Sequence, residues 1–275
     1  MESKMSEAAQ SPSVSSKSFP VSSRVAQMSA SKTMAVSTLA AQLKRSGADV
    51  IDLGAGEPDF PTPENIRHAA YAAMEAGQTK YTPAAGTVAL KAAILDRFAA
   101  DFGAAYEPNQ VISSAGAKQV VFNAVASLIN AGDEVLVPKP YWVTFPEVVT
   151  FAGGHSVWVE TEAENFRLTA EAVERAITPR SKLLIVNSPS NPSGLVIAPD
   201  EFERIVAVAV KHGLYVISDE CYNRFVYDPI KPHSAVQLPE HLRRRVLVAG
   251  SLSKTYAMTG GASVMRWGRA SGLRR

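Results

Sequence analysis

Two side chains in this chain are suited to act together on a ligand. They are Asp219, in Ser218-Asp219-Glu220-Cys221-Tyr222, and Lys254, in Gly250-Ser251-Leu252-Ser253-Lys254. Each follows a short apolar run, Leu214 to Ile217 and Val246 to Ala249 respectively. A carboxylate delivered to a strand end is costly to bury without a cationic partner. A lysine delivered to the same place is either salt-bridged or, with its amine neutral, nucleophilic. A glycine turn, Ala115-Gly116-Ala117-Lys118, opens a helix, where free backbone N–H groups and the positive end of the helix dipole favour a phosphate and Lys118 adds charge. Taken alone, a tight strand-to-helix turn accounts for it better. Pro138-Lys139-Pro140-Tyr141-Trp142 presents an aromatic ring at a rim, where packing alone is the ordinary explanation. Asn187 to Gly194 is a stiff polar loop that offers the Asn191 amide, and turn chemistry alone explains that too. Together these stretches put a phosphate cradle, an aromatic plate, an amide, a carboxylate, a phenol and a lysine on one rim, the set of roles that a single organic cofactor requires.

The elements that must hold these groups alternate. Val111 to Ser114, Glu134 to Val137, His155 to Val159, Lys182 to Val186, Leu214 to Ile217 and Val246 to Ala249 read as six short strands. Helices separate most of them: one runs through Ile129, one lies near Pro146, and one starts near Pro199, buries Phe202, Ile205, Val206 and Ala209, and stops at Gly213. This alternation is the signature of an α/β fold with a mostly parallel, doubly covered sheet, and ligands of such sheets sit at the strand C-terminal ends. Upstream, Val36 to Leu43 has a helical apolar pattern and Val50 to Leu53 reads as a short strand. The Ser-rich residues 1–23 read as a disordered leader without the apolar core of a signal peptide, so ordered chain begins near Arg24.

Composition narrows the partners. A net charge of +2 is too small for a nucleic-acid or membrane surface, and Arg243 to Arg245 reads as a solvated helix end. One cysteine excludes a disulfide framework and fits a cytoplasmic location, and no apolar run is long enough to span a bilayer. The five histidines lack metal-ligand spacing, so no metal is expected.

Six ordered stretches, Gly56-Glu57-Pro58-Asp59-Phe60, Thr79-Lys80-Tyr81, Pro140-Tyr141-Trp142, Asn187 to Gly194, Ser218-Asp219-Glu220 and Ser251 to Gly260, give the run from about Arg24 to Gly260 a resemblance. It resembles the class I, fold type I aminotransferases that use pyridoxal 5'-phosphate (PLP), most of all their bacterial aspartate aminotransferase branch. The resemblance implies an incomplete three-layer large domain over residues 56–260, preceded at 24–55 by an N-terminal segment of the small domain and an active-site strand. It implies that Lys254 forms the Schiff base and moves the substrate α-proton, that Asp219 pairs with the pyridine nitrogen, and that Asn191 and Tyr222 bond the 3′ oxygen. It further implies that Trp142 stacks on the ring, that Gly116, Ala117, Lys118, Ser251 and Ser253 surround the cofactor phosphate, and that Tyr81 reaches the phosphate of a neighbouring subunit in a homodimer. Gly56 would lie near the substrate α-carboxylate, with Trp142 and Asn191 also facing substrate. Ser31, Thr33 and Lys118 fall where this branch recognises the distal carboxylate of acidic substrates. The implied partners are an L-amino acid, aspartate or glutamate above all, and a 2-oxo acid.

The chain departs from this pattern after Thr259-Gly260, where the family continues Trp-Arg-Ile-Gly-Tyr and this sequence reads Gly261-Ala262-Ser263-Val264-Met265-Arg266-Trp267-Gly268. Back-translated as GGC GCA TCG GTT ATG CGG TGG GGC and preceded by one T, that stretch reads Trp-Arg-Ile-Gly-Tyr-Ala-Val-Gly. A single-nucleotide deletion at this junction is therefore expected, which makes residues 261–275 an out-of-frame tail. On that reading the sheet lacks an interior strand, two anion-binding arginines are lost, and the chain is expected to be unstable or inactive.

Other classes fit less well. Ser251-Leu252-Ser253-Lys254 matches the S-x-x-K spacing of penicillin-recognising acyl-transfer enzymes, but neither S-D-N nor K-T-G occurs. A non-catalytic remnant that binds the cofactor or an amino acid, or an aminotransferase-like sensor domain, is the alternative. The sequence shows no DNA-binding segment before Arg24 to go with the sensor form. Gly54-Ala55-Gly56 fails as a dinucleotide loop, because Asp59 stands where the third glycine belongs.

Overall fold

The computed structural model of the 275-residue chain describes residues 21–29, 32–54, 56–260 and 263–266, with the main chain alone at 32–34 and 263–266. The supposed leader lies almost wholly outside these residues, as does Ser31.

Upstream of the sheet the described residues form four helices, α1 (Ser23–Ala26), α2 (Lys32–Arg45), α3 (Glu64–Glu75) and α4 (Val88–Phe102). Then the alternation begins with β1 (Val111–Ser114), α5 (Ala117–Leu128), β2 (Glu134–Pro138), α6 (Thr144–Phe151), β3 (His155–Val159), α7 (Ala170–Ala176) and β4 (Ser181–Asn187). It continues with α8 (Pro199–Lys211), β5 (Tyr215–Asp219), α9 (Glu240–Arg243), β6 (Val246–Ala249), α10 (Leu252–Thr255) and β7 (Ser263–Arg266). All six expected strands form, within a residue or two of the boundaries read from the sequence.

The strands make one sheet in the order β1-β7-β6-β5-β4-β2-β3. Every pair from β6 to β3 is parallel, and β7 runs antiparallel to both β1 and β6. Successive side chains of a strand point to opposite faces, and this sheet is covered on both. Leu136, Leu184, Val186, Val216 and Val248 pack on one side with Phe202, Ile205 and Val206 of α8. Val137, Leu183, Ile185, Ile217 and Leu247 pack on the other with Val121, Val125 and Leu128 of α5 and with Phe145 and Val149 of α6. Burial on both faces explains why the strands are continuous apolar runs rather than alternating ones. The ends of α8 follow local chemistry: Pro199 occupies the first turn, where its missing N–H costs nothing, and Gly213 just past the end takes a φ of +80°.

Two expectations are corrected. Val50 to Leu53 is no strand: Ile51 is 86% and Leu53 90% exposed, and no described strand pairs with them, so apolar pattern alone does not make a ladder. The sheet also has no vacant interior position, because the main chain of Ser263–Arg266 is seated between β1 and β6 with Val111 opposite Arg266. Backbone hydrogen bonding is largely indifferent to side-chain identity, so residues outside the family's own pattern satisfy both flanking strands.

Candidate functional site

The C-terminal ends of β4, β5 and β6 lie in one row, with Asn187 opposite Asp219 and Asp219 opposite Ala249. Asp219 continues the alternation of Ile217 and so turns toward the face covered by α5, which packs against β5 and β6. Lys254 follows five residues after Ala249, in α10. The sheet thus delivers the acid and the amine from adjacent strands to the same edge.

Asp219 is 2% exposed. Its Oδ1 accepts one bond, from the Cys221 N–H at 3.2 Å, and no described cation pairs with it. Burial pushes its pKa up to about 6 against the opposing pull of the Cys221 thiol and of that N–H. The Asp219 backbone is pinned as well, since its carbonyl accepts from Asn187 Nδ2 at 3.0 Å and from the Ser188 N–H at 3.2 Å. Asn187 also accepts the Asn191 N–H at 2.7 Å, which aims the Asn191 side chain so that its amide donates to the Tyr222 hydroxyl at 3.4 Å. Burial holds the Tyr222 phenol protonated, with its pKa pushed up to about 12. Asn191 and Tyr222 are thereby brought together beside Asp219.

Lys254 Nζ donates to the Gly56 carbonyl at 2.5 Å, across nearly two hundred residues of sequence. The same crossing segment is fastened twice more, by Thr62 Oγ1 to the Ala257 carbonyl at 2.5 Å and by Thr259 Oγ1 to Glu57 at 3.0 Å. Ser251 caps α10, its Oγ accepting the Ser253 N–H at 3.0 Å. The Gly116 turn opens α5 with φ +95° and no side-chain cap, so the first N–H groups of α5 need an outside acceptor; nothing stands within 4 Å of where a Cβ at Gly116 would sit. Lys118 stands over the Trp142 ring, Nζ 5.4 Å from its centroid, and Phe145 meets that ring edge-on at 5.4 Å.

Tyr81 is fully exposed. The side chain of Thr33 and the whole of Ser31 lie outside the described residues. A cavity of about 260 Å³ borders the Asn187–Leu195 loop but shares only Phe145, Asn187 and Asn191 with the groups above and neither Asp219 nor Lys254, so the chemistry is placed at the Asp219–Lys254 edge instead. Sequence reasoning passed over Asn187 and Glu220, which the structure ties into this edge. For Asn187 the signal was available: a polar residue ending an apolar strand one row from the acid.

A buried acid and a lysine at adjacent strand ends, an amide–phenol pair beside the acid and an uncapped helix start define a site for an anionic heteroaromatic ligand on an α/β sheet. The sequence matches the family described as aminotransferase class I and II over residues 48–268, and the chain belongs to that family. It is 42% identical to an aspartate aminotransferase of Bacillus sp. (strain YM-2), covering 87% of this chain and 62% of that protein. It is 40% identical to a probable aspartate/prephenate aminotransferase of Aquifex aeolicus, over 87% of this chain and 61% of that one. The fold is similar to an aspartate aminotransferase of Thermus thermophilus solved with maleate, at a TM-score of 0.86 and 40% identity, covering 91% of this chain and 65% of that structure. The chain therefore spans a little over three fifths of the length of these curated relatives.

Proposed function

We propose that this chain is the cofactor-binding part of a PLP-dependent aminotransferase acting on acidic amino acids and 2-oxo acids. The observation that carries this reading is Asp219, a fully buried carboxyl with no cationic partner among the described residues, one strand away from the segment bearing Lys254. A protonated pyridine nitrogen is the kind of group that site lacks, and the donors around it fit the rest of PLP. The α5 N-terminus at Gly116 and Ala117, with Ser251 and Ser253, suits the phosphate, Asn191 and Tyr222 suit the ring oxygen, and Trp142 suits the ring face.

When bound, PLP supplies an electron sink for the pair of electrons left when the substrate α-proton departs. The protein's own groups do the rest. Asp219, as an anion beside the ring nitrogen, keeps that nitrogen protonated, because a nearby negative charge favours the charged form. Lys254 takes the α-proton on Nζ and returns it at the other end of the bond system, and the Gly56 carbonyl orients that amine. Lys118, which flanks Trp142, suits the distal carboxylate of a dicarboxylic substrate, a reading supported by the maleate bound to the Thermus relative. The names of relatives that pair aspartate with prephenate favour the same acidic class. The exposed Tyr81 supports a site completed by a second copy of the chain, as a homodimer. The other reading, a remnant that binds without turnover, shares every binding step and differs only in product formation.

Titration of the 275-residue chain with PLP should give the visible absorbance of a lysine-bound cofactor, and Lys254→Ala should abolish it. A band that survives in that variant defeats the assignment. Substrate choice has its own test: Lys118→Ala should slow reaction with aspartate and glutamate about tenfold or more while sparing aromatic donors, and equal losses would remove its role.

A further inference from the structure

Next to Asp219 stands a second buried acid to which the proposed reaction gives no role. Glu220 is 3% exposed and turns to the opposite side of the sheet edge. Its Oε1 accepts the Ala235 N–H at 2.8 Å and the Ser218 hydroxyl at 2.9 Å, while Oε2 is buried with no hydrogen-bond partner. The Ala235 bond ties the 3-10 turn Ala235–Gln237, capped by Ser234, to the end of β5. The Glu220 N–H donates to the Ala249 carbonyl at 2.9 Å, so the same residue links β5 to β6 immediately before the Lys254 segment.

Two adjacent carboxyls in a dry interior do not both ionise unless cations neutralise them. The charged or titratable groups that face Glu220 are Asp219 and Cys221 on its own segment, Arg97 and Asp101 of α4, and Arg224 and Tyr256 around a shared cavity of about 180 Å³. Both arginines are already engaged by Asp101. Asp101 balances only one of them, but no described ion pair or hydrogen bond joins either arginine to Glu220. An orphaned neutral oxygen costs far less than an orphaned charge, whereas Asp219 holds a backbone donor and faces the ligand side.

We propose that Glu220 is a positioning residue for Asp219: carrying its own proton, it fastens the Ser234–Gln237 turn to the end of β5 and leaves the buried negative charge to Asp219 alone. The inference rests on Asp219 being the partner of the pyridine nitrogen. The clamp itself is independent of that reading. Burial raising the Glu220 carboxyl to about 7, against the pull of Ser234, Ala235 and Ser218, is in accord with it.

The test uses the 275-residue chain with Glu220→Gln, which keeps the acceptor oxygen and cannot ionise, and Glu220→Ala, which loses the clamp. Without cofactor, Glu220→Gln should melt with wild type at pH 4 and above wild type at pH 8. A midpoint below wild type at both values, or no difference at either, means Glu220 is charged in the fold and overturns the proposal. With PLP, Glu220→Gln should keep the visible band and an affinity within about twofold of wild type, and Glu220→Ala should weaken binding about tenfold or more. Unchanged binding in Glu220→Ala overturns the positioning role. If Glu220→Ala does not fold, Ser218→Ala removes one of the two bonds and should weaken binding in the same direction; unchanged binding there counts against the role equally. Absence of the band in wild type defeats the parent reading, and the melting profiles then decide the clamp on their own.

Discussion

Asp219 makes the cofactor-free chain sensitive to pH in a direction opposite to that of most surface acids. Burial raises its carboxyl from 3.8 to about 6 and that of Glu220 from 4.5 to about 7, so the folded chain keeps both protons at a pH where the unfolded chain has released them. The stability from these two groups is fully present below about pH 4, declines as pH rises, and levels off past the folded values near 7. A melting midpoint that falls steadily between pH 4 and pH 7 is expected, with Asp219→Asn removing part of the slope. Bound PLP should flatten Asp219's share, because a ring N–H stabilises the anion. The acid, the lysine and the glycine turn were readable because each follows an apolar run and the end of a parallel strand is where ligands sit. Glu220 carried no signal of its own: a Glu after an Asp looks like ordinary surface polarity, and only burial on the far face gives it a role. Tyr81 and Ser31 were reached by resemblance alone; Tyr81 is fully exposed and Ser31 lies outside the described residues.

The elements hold their places through close packing that tolerates little addition. Gly154, between α6 and β3, has no unusual backbone, yet a Cβ there would come within 2.6 Å of Ile129 Cγ2 and 3.1 Å of the Asp133 carbonyl. Gly154→Ala should destabilise the fold by about 1–3 kcal/mol, measured by denaturant titration, with little effect on PLP affinity once folded. The six strands were recoverable because double-sided burial writes uninterrupted Val, Ile and Leu runs into them. Val50 to Leu53 has the same look and forms no strand, since a strand also needs a neighbour with free backbone groups, which local sequence does not record. Helices α3 and α4 were not read from the sequence, although α4 carries Leu90, Ile94, Phe98 and Phe102 at helical spacing and packs them against the sheet; α3 buries no residue.

At the scale of the molecule, apolar exposure among the described residues is concentrated upstream of the sheet. Ile51, Leu53, Phe60 and Val88 are each at least 76% exposed, and Val36, Leu39 and Leu43 form a partly open stripe along α2. Burying such surface is worth roughly 25 cal/mol per Å², so the isolated chain should self-associate. Light scattering should give a mass above 29.4 kDa that rises with concentration, and Ile51→Ser with Leu53→Ser should lower it. The seating of β7 has a separate, directly measurable effect. Hydrogen exchange should find the β1 amides that face β7 protected in the 275-residue chain and unprotected when the chain is ended at Gly260, while Ser113, whose N–H donates to the Ala85 carbonyl at 3.1 Å, keeps its protection.

That arrangement also fixes an order of events during synthesis. The first of the described strands to leave the ribosome, at Val111, joins the others only through the last of them, about a hundred and fifty residues later. Until then β1 and the outer edge of β6 are unclaimed templates for strand pairing, and a nascent chain paused in that interval is the form most open to capture by chaperones or by another copy of itself.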